Sequence, residues 1–164
     1  MSDAFKIYID RLSGGQVEKI EETFDPIFLD VEEEKDLKFE IPIEVSGEAY
    51  ITDEYLIIHL KVKTSAKMPC SICNEMISVP VFLKNFYHTQ PVCEIKSAIF
   101  DYSLALREAI LLELPKYVEC KGGNCPERKN IAQYLKKDDE PSKDDNTYFP
   151  FADLDRGENE NGST

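Results

Sequence analysis

The chain has 164 residues and a formal net charge of −13. This length suits one domain, and the excess of acid argues against a broad basic surface that grips nucleic acid through its phosphates. The sequence has no run of about 18 apolar residues that would predict a membrane-spanning helix, and no basic-then-apolar order typical of a signal peptide. We therefore expect a cytoplasmic protein that makes no contact with membranes.

Much of the acid lies at the C-terminal end. Residues 138–164 contain nine acidic and two basic residues, a net charge of −7, which leaves −6 for residues 1–137. Such a composition is typical of a disordered segment. We predict one globular domain over 1–137 and a flexible acidic tail over 138–164. Within the tail, the aromatic residues of 148–154 predict a docking motif, either for the domain or for a partner.

The first part of the chain carries two short apolar patterns. Alternation over residues 5–10 predicts a strand with one side buried. The spacing of Val17, Ile20 and Phe24 fits one stripe of a helix, so a short helix is predicted there.

Residues 37–45 alternate strictly between apolar and polar side chains and predict a strand. Pro42 has no N–H to donate to a sheet, so we place this strand near an edge. A break is predicted at 46–47, then a short strand over 49–52 and a turn at 53–54.

The following strands predict a hairpin that carries a cysteine pair. Apolar side chains alternate over residues 56–64 and again over residues 77–83, and the second of these strands continues toward His88. Cys70 and Cys73 fall between the two strands and are therefore predicted at the hairpin tip. His59 falls on the face opposite the apolar residues, which predicts a solvated strand residue rather than a metal ligand.

Residues 101–114 predict the main helix, with Asp101 as its N-cap and Pro115 as its end. This helix is apolar around most of its circumference, so it must pack against a sheet or a partner. A second, short helix is predicted over 130–136. Consecutive antiparallel strands followed by one main helix in the C-terminal half predict an α+β domain with a curled sheet or a small open barrel.

Four of the five cysteines form two close pairs, Cys70 with Cys73 and Cys120 with Cys125. Two such pairs can provide a tetrahedral four-sulfur shell, and the two glycines inside the second pair allow a sharp turn. The pattern predicts one structural zinc ion. The alternative is that these residues are reduced thiols packed as small apolar side chains. The fifth cysteine, Cys93, is predicted to be a structural thiol, and no disulfide framework is expected.

The sequence contains no phosphate-binding loop and no nucleophile paired with a base, so we predict no catalytic residues, no small-molecule substrate and no enzyme activity. The Cys70 and Cys73 pair does not indicate a thiol oxidoreductase. Such redox pairs open a helix after a strand, whereas here a strand pattern continues on both sides.

Five segments of the chain occur in an order that is found in a known family. They are the strands around Gly47, the hairpin tip with Cys70 and Cys73, residues 101–115 (DYSLALREAILLELP), residues 120–125 (CKGGNC) and residues 150–154 (PFADL). In these segments the chain resembles the bacterial and plastid YceD (DUF177) family of large ribosomal RNA subunit accumulation proteins. The resemblance spans most of the sequence.

By position, the family's cysteine pair corresponds to Cys70 and Cys73, its helix to 101–114 and its C-terminal motif to 149–154. Members often have an arginine just before the second cysteine, where this chain has Ile72. This departure weakens the expectation that the hairpin tip contacts RNA phosphate. Members also differ in whether the later cysteines are present, so the resemblance does not imply zinc.

The resemblance implies a non-enzymatic factor that supports large ribosomal subunit assembly and rRNA accumulation, by binding a ribosomal protein or the large-subunit rRNA precursor. Because the chain is acidic, a basic ribosomal protein is the expected first contact. The alternative is a zinc-stabilised protein-interaction module unrelated to ribosomes, whose function lies in the aromatic segment 148–154.

Overall fold

The computed structural model describes residues 4–31 and 34–134. Contacts within the chain divide it into a first unit, Met1–Arg128, and a second unit, Lys129–Thr164, of which residues 129–134 are described. The predicted acidic tail and its aromatic motif lie outside the described residues. Among the helices that are described, none has the length and apolar character needed to cross a membrane.

Within residues 4–31 and 34–134, six strands form two antiparallel sheets. The larger sheet has the order β2-β3-β4-β5 and contains β2 (Val17–Phe24), β3 (Ile43–Thr52), β4 (Tyr55–Pro69) and β5 (Met76–Pro91). The smaller sheet pairs β1 (Lys6–Tyr8) with β6 (Ile99–Asp101). The helices are α1 (Ser103–Glu113), α2 (Cys120–Gly123) and α3 (Arg128–Ile131), with 3-10 turns at Ile9–Leu12, Pro26–Leu29 and Val92–Glu94. The predicted α+β class is confirmed, with an open sheet and one main helix.

The central strand β4 organises the core because its side chains alternate strictly between two faces. Its inward residues are almost completely buried: Leu56, Ile58, Leu60, Val62, Thr64 and Ala66. Each fully buried aliphatic side chain of this kind contributes about 1.5–3 kcal/mol. Strand β3 adds Ile43, Val45 and Ala49 to the same core, and α1 covers it with Leu106 and Ile110.

The predicted helix around Val17 is wrong, because this segment is strand β2, paired with β3 from Val17 opposite Tyr50 to Phe24 opposite Ile43. Ile20 and Phe24 are buried, whereas Val17 is 53% exposed. A separation of four residues places two side chains on one face of a helix and equally on one face of a strand. The exposure of Val17 identifies a strand, because in a strand residue 17 lies on the face opposite residues 20 and 24.

The predicted strand over 37–45 and the break after it are also wrong. Residues 37–42 form no ladder, and only Lys38 makes an isolated bridge, with Lys67. Strand β3 instead runs without interruption through Gly47. A Cβ atom at Gly47 would lie 2.1 Å from the backbone oxygen of His59. Glycine is needed here because two backbones approach closely, not because the strand ends.

The turn predicted at 53–54 is confirmed. Asp53 and Glu54 have φ angles of 47° and 71°, the left-handed pair that joins two strands tightly. His59 faces away from the core, as predicted, but it is half-buried, because its ring stacks on that of Tyr87 with centroids 4.1 Å apart.

Helix α1 confirms the predicted main helix, and it packs on the core with Leu106 and Ile110 buried and Ala105 and Ala109 partly buried. Leu104 and Leu112 are 63% and 84% exposed, so one side of the helix does not pack within the first unit. Tyr102, not Asp101, occupies the N-cap position, although the Asp101 carboxylate accepts a hydrogen bond from the Ser103 N–H at 2.9 Å.

The short helix predicted over 130–136 begins earlier than expected. Helix α3 spans Arg128–Ile131, and residues 135 and 136 are outside the described residues.

Candidate metal centre

The first cysteine pair lies in the turn between β4 and β5, as predicted. The Cys70 N–H donates to the Glu75 carbonyl at 2.8 Å, and the Asn74 N–H donates to the Cys70 carbonyl at 2.9 Å. Asn74 has a φ of 61°, a left-handed conformation that asparagine tolerates better than most residues. These bonds close a tight turn in which both sulfurs lie on one side.

The second pair is brought round by a left-handed stretch of backbone. Lys121, Gly122 and Gly123 have φ angles of 54°, 64° and 96°. Two of the three are glycines, which adopt this conformation without the steric cost of a Cβ atom. The chain therefore reverses direction between Cys120 and Cys125, which brings the sulfur atoms of these two residues close together.

Two hydrogen bonds attach the hairpin tip to the segment before Cys120. The backbone N–H and the hydroxyl of Ser71 both donate to the Val118 carbonyl, at 2.8 and 2.9 Å. The Cys120 N–H also donates to the Cys70 sulfur at 3.3 Å. The tip and the second loop are thus joined by polar contacts that do not require a metal ion.

The four sulfur atoms, Sγ of Cys70, Cys73, Cys120 and Cys125, all lie within 4.8 Å of one another. Those of Cys73 and Cys120 are 3.8 Å apart, far longer than a disulfide bond of about 2.05 Å. Tetrahedral coordination with zinc–sulfur bonds of about 2.3 Å places ligand atoms about 3.8 Å apart. The four cysteines can therefore hold one metal ion.

The cluster is shielded from solvent. Cys70, Cys120 and Cys125 are buried, Cys73 is half-buried, and Ile72 and Ile77 pack against them. This small apolar cluster is separate from the main core. Reduced thiols also tolerate burial, so it is the mutual proximity of the sulfurs, not their burial, that points to metal binding.

The thiols differ in their readiness to ionise. Burial of Cys70 opposes ionisation, but three backbone N–H groups outweigh burial and lower its pKa to about 6. Those N–H groups belong to Cys120, Cys73 and Ile72. Burial, followed by the three neighbouring thiols, raises the pKa of Cys120 to about 12. The surroundings therefore favour the thiolate of Cys70 and disfavour that of Cys120. A coordinated cation would stabilise the thiolate form of both.

A charged pair supports the second loop. One carboxylate oxygen of Glu119 accepts the Cys125 N–H and the Arg128 Nε–H, both at 3.0 Å, and the other oxygen pairs with Arg128 Nη2. The hydrogen bond from Arg128, followed by that from Cys125, lowers the pKa of Glu119 to about 2. The sequence did not predict this pair, although an acid and a base, Glu119 and Arg128, flank Cys120 and Cys125.

The structure brings together all four cysteines that the sequence predicts as ligands, and it leaves the fifth apart. Cys93 lies in the 3-10 turn Val92–Glu94 and is exposed. A structural thiol needs a packed environment, so the prediction for Cys93 is wrong.

Comparison with protein-family models, with curated proteins and with solved structures finds no match to this chain.

Proposed function

We propose that the chain is a non-enzymatic, cytoplasmic factor that supports large ribosomal subunit assembly and rRNA accumulation, and that one structural zinc ion holds its hairpin tip. The grouping of four sulfurs within 4.8 Å is the observation that supports the zinc ion. The ribosomal role is supported by the ordered resemblance of five sequence segments to the YceD family.

Zinc is the metal that suits this set of ligands. Four thiolates in tetrahedral arrangement are typical of structural zinc, and a shell of four protein ligands leaves no position for a reactive water. Cys70, Cys73, Cys120 and Cys125 would each supply one sulfur. The ion would fasten the end of the β4–β5 hairpin to the loop that follows α1, so its contribution is to stability rather than to chemistry.

Glu119 is expected to tune the affinity for the ion. Replacing Glu119 with glutamine keeps the side chain's size but removes the charge that pairs with Arg128, which loosens the Cys125 loop. Mutation of a residue that hydrogen-bonds to a metal ligand typically lowers metal affinity by about 10- to 100-fold. Competition for zinc with a chromophoric chelator measures the change. Glu108→Gln, which removes the same charge from an exposed position on α1, is the matched control, and an equal effect of both variants would contradict the assignment.

The partner in assembly is a ribosomal protein or the large-subunit rRNA precursor. A net charge of −13 attracts a basic protein over distances of about 8 Å at physiological salt and speeds its encounter. Ribosomal proteins carry such positive charge because they bind RNA, which makes them fitting first contacts for an acidic chain.

Depletion of the protein from its host cell tests the ribosomal role. The expected result is a lower ratio of large to small subunits on a sucrose gradient, with loss of large-subunit rRNA. Re-expression of the full chain should restore the ratio. If the ratio stays unchanged on depletion, the chain is instead a zinc-stabilised interaction module that works outside the ribosome.

A further inference from the structure

The two longest strands have a charge unlike that of the rest of the chain. Strands β4 and β5 contain 15 and 16 residues and not one aspartate or glutamate, although the whole chain has 32 acidic residues. The same two strands hold both histidines and four lysines. In a strongly acidic protein, this hairpin is a basic element.

The register of the hairpin places its basic and aromatic residues on one face. Side chains directly opposite each other in an antiparallel pair point to the same side. His59 lies opposite Tyr87, and Lys63 lies opposite Phe82, on the face away from the core. Phe82 and Tyr87 are 47% and 61% exposed. The His59 ring stacks on one face of the Tyr87 ring, which leaves the other face of Tyr87 for a ligand.

The positive charges on this outer face are available. Among the described residues, Lys61, Lys63 and Lys84 make no ion pair within 4 Å, whereas Lys67 pairs with Glu40 at 2.5 Å. Glu44 is the register partner of Lys63 but does not form such a pair. Lys61 and Lys63 therefore form a basic strip beside the aromatic rings, and the exposed Lys84 lies next to them in the bulge between Leu83 and Phe86.

The rest of the outer face limits the extent of this strip. On β2 and β3 the residues in register with it include three acids, Glu21, Glu44 and Glu48. A polyanion is repelled from that half of the sheet and attracted to the half formed by β4 and β5. The exposed aromatic rings occupy the attractive half.

We infer that the outer face of the β4–β5 hairpin binds single-stranded RNA, with bases stacked on Tyr87 and Phe82 and phosphates contacted by Lys61, Lys63 and Lys84. Exposed rings next to cations fit unpaired bases, since a base within a duplex cannot offer its face to a ring. An acidic peptide would satisfy the lysines but would leave the rings without a partner. The inference rests on the proposed function, for which it names RNA as a direct partner.

Fluorescence polarisation of the full chain with a labelled single-stranded RNA of about 12 nucleotides tests the site. Lys61→Glu with Lys63→Glu is expected to weaken binding by about tenfold or more and to reduce the slope of log affinity against log salt by about 1.4. Tyr87→Ala is expected to weaken binding by about 5- to 100-fold. Lys96→Glu with Lys116→Glu, which changes the net charge equally, should leave affinity within about threefold.

Several results would overturn the inference. They are absence of binding by the unaltered chain, equal weakening by the control pair, tighter binding to the same sequence as a duplex, or displacement of the RNA by polyglutamate at equal charge. Circular dichroism of each variant confirms that the strands are retained.

The depletion experiment separates this inference from the proposed function. RNA binding through the hairpin in a protein whose depletion leaves subunit ratios unchanged would support the site and refute the ribosomal role. A subunit defect on depletion, with no RNA binding in vitro, would refute the site and leave the ribosomal role.

Discussion

Replacing Cys125 with serine is expected to release the zinc ion and to lower the midpoint of thermal unfolding by about 10 °C or more. A serine hydroxyl is a poor zinc ligand at neutral pH, and the three remaining sulfurs would leave the shell open. Because a structural site couples metal binding to folding, loss of the ion also loosens the loop and the hairpin tip. Native mass spectrometry and a thermal melt of the same samples measure both effects.

The chain provides its own control in Cys93. This cysteine is exposed and lies apart from the cluster, so Cys93→Ser should retain one zinc ion and an unchanged midpoint. A chelator added to the unaltered protein should reproduce the effect of Cys125→Ser without any change of sequence. An intact mass equal to that of the bare chain, before any chelator is added, would return the four cysteines to the alternative of packed thiols.

Replacing Gly47 with alanine is expected to reduce the free energy of unfolding by about 3 kcal/mol. The added Cβ would lie 2.1 Å from the His59 oxygen and 2.8 Å from the Leu60 Cα, both of which are backbone atoms. A backbone in the middle of a paired strand cannot move aside as a flexible side chain can. Strands β3 and β4 must therefore separate locally, and Leu60 lies in the core at the same position.

Denaturant titration measures this loss, and Ser46→Ala is the control. Ser46 is exposed on the same strand, so its substitution should change the free energy of unfolding by less than about 0.5 kcal/mol. If Gly47→Ala were as stable as the unaltered protein, the close approach of the two strands would not be present in solution.

The fold was predicted best where a pattern has only one interpretation. Alternation over 56–64 persists for too many residues to fit a helix, and it identified β4 and the hairpin. The helix predicted around Val17 was wrong because the buried residues, Ile20 and Phe24, are four positions apart. This spacing fits one face of a helix and one face of a strand equally well. The strand predicted over residues 37–42 was wrong for another reason. Alternation indicates that one side of a segment is buried, but it does not show whether another strand is available to pair with it.

The sequence predicted the cysteine cluster because two close pairs of cysteines are the spacing typical of a four-sulfur metal site. The support around the cluster was not predictable in the same way. The hydrogen bonds from Ser71 to Val118 join residues 47 positions apart, and nothing in either local sequence indicates that they meet. The same holds for the outer face of the hairpin, since its aromatic and basic residues become one surface only when the register is known.

Strand β5 has a further consequence for the behaviour of the protein at high concentration. It forms one edge of the four-stranded sheet, where unpaired N–H and C=O groups can recruit a strand from another molecule. Pro80 has no N–H to offer, and a bulge displaces the ladder between Leu83 and Phe86, next to Lys84. These features interrupt the ladder near the centre of the edge and disfavour its pairing with a strand from another molecule.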